Sequence, residues 1–106
     1  MDNFKAVYKI LSRLEKYMDC SEIDENQINH EALDVSKERW ARYMEMMVDV
    51  GYIKGVNISY TIDGCTNVEI DDIRITLKGL EYLQENTIMK KIYRTAKGVK
   101  DVTPGL

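Results

Sequence analysis

The feature that most constrains this chain is a double change of period in its apolar residues. Up to Val50 they recur three and four positions apart, as one face of an α-helix requires. From Val56 they alternate every second position, and after Thr76 the helical spacing returns. Helices flanking one β-hairpin make an α+β unit, and 106 residues is one domain's worth of chain.

In the first helical region, Phe4, Val7, Tyr8, Leu11, Leu14 and Met18 share a face, which predicts a helix over 3–18 with Lys5, Lys9, Arg13 and Lys16 solvated. The acidic, aperiodic stretch 21–27 predicts a loop. A short helix from about Gln27 to Leu33 follows, burying Ile28 and Leu33, and Asp34-Val35-Ser36 makes a turn. Ser36 is placed to cap a third helix over 37–50, whose Trp40, Tyr43, Met44, Met47 and Val48 form one face. Gly51 stands where a helix end calls for a left-handed residue.

Beyond it, Val56, Ile58, Tyr60 and Ile62 alternate with polar residues, which predicts a half-buried strand. Asp63-Gly64 signals a two-residue hairpin turn, and Thr66, Val68 and Ile70 resume the alternation. Asp71-Asp72 reads as a break, with a short further strand over 73–75. Thr76 then caps a fourth helix that carries Leu77, Leu80, Tyr82 and Leu83 to about Asn86. Ile88, Ile92 and Ala96, four apart, predict a last amphipathic stretch before a tail ending in Pro104-Gly105-Leu106. The organisation expected is a main body over 1–86, with 87–106 as a basic amphipathic helix and tail of the same domain.

Composition narrows the function. Fifteen basic against eighteen acidic residues leave a net charge of −3, which opposes a surface that coats nucleic acid indiscriminately. No apolar run approaches the roughly 20 residues that a bilayer crossing needs. No basic region precedes an apolar block with a cleavage site, so the expected location is cytoplasmic and no membrane partner is expected. Cys20 and Cys65 then read as thiols, small and partly buried. His30 with two distant cysteines cannot supply a structural zinc set. The pairs Asp24-Glu25 and Asp71-Asp72 read as turn and cap residues. Neither a phosphate-cradling glycine loop nor a serine, histidine and acid set occurs, so no enzyme, catalytic residue, metal or cofactor is expected.

Helix, short helix, tight turn, longer helix, hairpin, helix is the order of a winged helix-turn-helix domain with the third helix in the recognition position. Trp40, the run 46–55 (Met-Met-Val-Asp-Val-Gly-Tyr-Ile-Lys-Gly) and the run 74–83 (Arg-Ile-Thr-Leu-Lys-Gly-Leu-Glu-Tyr-Leu) resemble the YjcQ family, small winged-helix proteins of Gram-positive bacteria and their prophages. The likeness extends over nearly the whole chain. It implies a three-helix core with a β-hairpin wing and additional C-terminal helices. The segment from Gly51 to Leu83 is also similar to the stretch leading through the wing of many bacterial transcription regulators.

A winged fold directs attention to double-stranded DNA. On the third helix Lys37, Glu38, Ala41, Arg42 and Glu45 are expected to face outward, with Lys37, Arg39 and Arg42 as contacts and Lys54 assisting. The wing region 51–73 sets Lys54 against Asp63, Glu69, Asp71 and Asp72, a balance of −3 that repels phosphate. The region 74–106 has seven basic and three acidic residues, +4, which makes Lys90, Lys91 and Arg94 further candidate phosphate contacts. Most of the seven tyrosines, Trp40, Met44 and Met47 read as core; Met46 is open to either assignment. The competing expectation is a protein-interaction module without DNA binding, whose acidic wing or 88–96 apolar face docks a partner or a second copy.

Overall fold

Each helix begins where a short polar side chain takes up free backbone amides. Asp2 accepts from the amides of Phe4 and Lys5, at 2.8 and 3.2 Å, and starts α1 (Asn3–Lys16). Asn29 accepts from the Ala32 amide at 2.8 Å and starts α2 (His30–Leu33). Ser36 does the same for α3 (Lys37–Asp49) through the Arg39 amide at 3.1 Å. Thr76 starts α4 (Leu77–Glu85) through the Gly79 amide at 3.2 Å. Between α3 and α4 run the antiparallel strands β1 (Ile53–Tyr60) and β2 (Thr66–Ile75). This computed structural model describes residues 2–86 and 91.

The fold is α+β, with helices packed around one two-stranded antiparallel sheet, an architecture compatible with a winged helix. Its core joins Ile10, Leu11 and Leu14 of α1, Ile28, Leu33, Tyr43, Met44 and Met47, the strand residues Ile53 and Ile73, and Leu83 of α4. Among the described residues no helix is long and apolar enough to cross a membrane.

Several local expectations are corrected. α1 ends at Lys16, and residues 17–19 form a 3₁₀ turn. Phe4 and Met18 are 66% and 58% exposed, whereas Ala6 and Ile10 are fully buried. The helix packs against α3, α4 and β2 together, which widens its buried arc, while Phe4 lies in its first turn and Met18 in the 3₁₀ turn beyond its end. The short helix does not start at Gln27. A 3₁₀ turn over Glu25–Gln27, capped by Asp24, comes first, and Asn29 sets the start of α2. Asp34 closes α2 in the left-handed region, at φ 56°, which a short polar side chain tolerates.

α3 ends with a full Schellman closure around Gly51 at φ +83°: the Gly51 amide donates to Val48 and the Tyr52 amide to Met47. The hairpin loop is wider than the Asp63-Gly64 signal implies. Tyr60 pairs with Thr66, the Gly64 amide donates to the Thr61 carbonyl, and the left-handed Gly64 helps close a five-residue loop over 61–65 that leaves Ile62 fully exposed.

Asp71-Asp72 does not break the second strand, which runs unbroken to Ile75. Instead the register shifts there: Lys54 pairs with Arg74 and Val56 with Ile70, so Gly55 faces the three residues Asp71, Asp72 and Ile73. The inward positions change parity on both strands at this bulge, from Ile53 to Val56 and from Ile70 to Ile73. Gly55 sits at φ +79°, and a Cβ there would lie 1.8 Å from the Asp72 carbonyl oxygen. The base of the hairpin is tied to α4, because the Thr76 hydroxyl donates to the Gly51 carbonyl and the Thr76 amide to the Tyr52 carbonyl.

Candidate nucleic-acid interface

α3 presents one face to solvent, and its composition follows from helical geometry. Glu38, Arg42, Glu45 and Asp49, spaced four, three and four apart, form an outward stripe, with Arg39 and Met46 beside it. Ala41, expected to face outward, is buried, because it shares a stripe with Met44 that points at the core. Lys37 belongs to that inner stripe and is exposed because it occupies the first turn. Lys37, Arg39 and Arg42 are all exposed, as a contact role requires. Met46 lies on the surface at 49% exposure, which assigns it away from the core.

The two arginines have different partners. Arg42 lies 3.4 Å from the half-buried Glu45 carboxylate, which also accepts a hydrogen bond from the Tyr60 hydroxyl of β1. That bond holds the Tyr60 phenol above its ordinary pKa, since ionising it would break the bond and set a negative charge beside Glu45. Tyr60 is 62% exposed and so is not among the tyrosines that take the core role expected of most of them. Arg39 instead donates to the Asn3 amide oxygen of α1 at 2.9 Å, and the buried Tyr43 hydroxyl donates to the same oxygen at 2.5 Å. Asn3, Ser36, Glu38, Arg39, Arg42, Tyr43 and Met46 line a shallow depression between the starts of α1 and α3.

Lys54 is not brought to this surface. It pairs across the ladder with Arg74, and both line a second depression with Leu14, Tyr17 and Met18 at the far end of α1. Fourteen helical residues put the two depressions about 20 Å apart along α1. Arg74 lies 3.1 Å from Asp72, while Asp63, Glu69, Asp71 and Asp72 are all exposed, so the hairpin is an acidic surface. Lys91 is exposed; Lys90, Arg94 and the 88–96 apolar face, as well as Tyr93, lie outside the described residues.

Cys20 and Cys65 are exposed, one after the 3₁₀ turn that ends α1 and one in the hairpin loop, which corrects their assignment as partly buried. His30 opens α2 and is half-buried. Among the described residues no group of three metal-ligating side chains occurs. Asn3 and Tyr60 are the interface residues that sequence reasoning missed, and Glu45, expected on the outward face, was not expected to meet Tyr60. Each acts through a partner at least fifteen positions away except the Arg42–Glu45 pair, whose i,i+3 spacing was the one available signal.

These features define a small α+β protein with one helix face carrying exposed cations beside an acidic hairpin. A family model described as YjcQ protein matches residues 8–102, and the chain belongs to the YjcQ family. No curated protein and no solved structure matches it.

Proposed function

We propose that the chain is a winged helix-turn-helix module that binds double-stranded DNA, as a small accessory regulator, with α2, the Asp34–Ser36 turn and α3 as the helix-turn-helix and β1–β2 as the wing. The observation that carries this reading is the exposure of Lys37, Arg39 and Arg42 in the first half of the helix that follows the tight turn, while the other face of that helix is buried in the core. In helix-turn-helix proteins the N-terminal part of the second helix meets base edges and the flanking cations meet phosphates. The reading assigns a binding role and no catalytic step, cofactor or metal. Acidic neighbours on α3 and the acidic hairpin limit the number of phosphates neutralised, so affinity should be modest and fall with salt. Titration against genomic DNA fragments at several salt concentrations tests it: saturable binding that weakens as salt rises is expected, and no such binding at low salt overturns it.

A second reading has its own support. The hairpin is acidic and ends in a fully exposed Ile62 with an exposed Tyr60, a combination suited to a protein partner with basic and apolar groups. Pull-downs with Ile62→Ser as the control separate it from the first, since that substitution removes partner capture and leaves DNA binding by α3 unchanged.

A further inference from the structure

The two arginines in the first half of α3 are both exposed and differently held. Arg42 lies within the stripe Glu38, Glu45 and Asp49 and pairs with the Glu45 carboxylate, which offsets its charge. Arg39 lies beside that stripe, and the acceptor it meets is the neutral Asn3 amide, 2.9 Å away. An amide oxygen fixes the direction of a guanidinium without cancelling its charge, whereas a carboxylate does both. Asn3 is itself immobilised. Its oxygen accepts from Tyr43, a side chain only 2% exposed, and its backbone starts α1 directly after the Asp2 cap. One N–H of the Arg39 fork is thus committed to Asn3, and among the described residues the remaining donors meet no acceptor, which leaves them for bidentate contacts.

We propose that Asn3 is a positioning residue for DNA binding: it pins Arg39 against the first turn of α1 and presents a preformed, uncancelled guanidinium to one backbone phosphate of a DNA duplex, which makes Arg39 rather than Arg42 the principal phosphate contact of α3. This rests on the DNA-binding reading. A flexible arginine must be ordered when it meets a phosphate; Asn3 and Tyr43 hold it in place beforehand. The depression at the junction of α1 and α3 is lined by Ser36, Glu38, Arg39, Arg42 and Met46, two guanidiniums against one carboxylate, and gives the phosphate a place beside Arg39.

The test is fluorescence anisotropy with a labelled mixed-sequence DNA duplex, measured over a salt series on the full chain. Arg39→Ala should lower affinity more than Arg42→Ala and flatten the log–log salt slope by about 0.9, the loss of one phosphate contact. Asn3→Ala should weaken binding several-fold in the natural background and add no further loss in the Arg39→Ala background, which a merely structural role would not reproduce. Asn3→Asp keeps the acceptor for Tyr43, and so keeps the fold, yet pairs Arg39 with a carboxylate; it should flatten the slope as Arg39→Ala does. Salt-sensitive binding by the natural chain that is unchanged in Asn3→Ala and Asn3→Asp would overturn the role of Asn3 while leaving the DNA reading in place. No salt-sensitive binding by the natural chain would overturn both.

Discussion

The indole N–H of Trp40 donates to the main-chain carbonyl of Ile28 at 2.8 Å, inside the core. One hydrogen bond thereby fastens α3 to the segment that leads into α2, and a buried carbonyl that lies outside any helix obtains its partner. Trp40→Phe leaves that carbonyl unpaired. It should cost about 1–3 kcal/mol, read as a lower urea midpoint by far-ultraviolet circular dichroism.

Gly55 and Gly64 share a left-handed backbone, with φ +79° and +84°, and differ in their surroundings. A Cβ on Gly64 meets nothing within 4 Å, so Gly64→Ala should cost about 1–2 kcal/mol from the backbone alone. A Cβ on Gly55 meets the Asp72 carbonyl, so the strands must separate at the bulge. Gly55→Ala should cost about 3 kcal/mol or more, the backbone penalty plus overpacking, and should narrow the dispersion of the β1 and β2 amide chemical shifts as they move toward unpaired values.

The Tyr82 ring packs on Tyr52 with centroids 5.0 Å apart, and its hydroxyl is buried with no hydrogen-bond partner among the described residues. Burial, its largest cause, pushes the phenol pKa up. Tyr82→Phe retains the ring and removes the orphaned group. The variant should match the natural chain or exceed it by about 1 kcal/mol in thermal or chemical unfolding.

Tyr60 links stability to alkaline pH. Its folded pKa lies above the ordinary 10.0, mainly because the phenol donates to Glu45, so the fold favours the neutral form. The contribution is complete below the unfolded value and is lost as pH rises through the folded one. The difference in melting temperature between the natural chain and Tyr60→Phe should therefore be constant through neutral pH and shrink above about pH 10.

Lys54 shares its depression with Arg74 and the far end of α1, away from Arg39 and Arg42. Lys54→Ala should change duplex affinity by less than about twofold and leave the salt slope intact, in contrast to a contact that neutralises a phosphate. A loss equal to that of Arg39→Ala would place the DNA across both ends of α1.

Features that depend on neighbours in sequence were legible. Ser36 and Gly51 frame α3 because caps act within one turn, and Trp40, Tyr43, Met44 and Met47 reach the core as their spacing requires. The alternation of Val56 and Ile58 against Val68 and Ile70 announced the hairpin. The doubled aspartate at 71–72 was visible as a fault in that alternation, but two physical events produce the same fault. A strand may end, or it may bulge, and the choice lies with the opposing residue, Gly55. Phe4 and Met18 misled for a related reason: helical phase places a residue on a face, while burial also depends on how far along the helix its neighbours extend.

By itself the sequence determined the helical and extended segments, the caps and turns, and the unequal distribution of charge, since each arises from interactions within a few residues or from composition. Tertiary structure alone decided that Asn3 meets Arg39 and Tyr43 across 36 and 40 positions, that Glu45 meets Tyr60, and that Lys54 stands apart from the α3 cations. Such meetings follow from how α1, α3 and the hairpin close upon one core, and a polar side chain shows no periodicity that would reveal its distant partner.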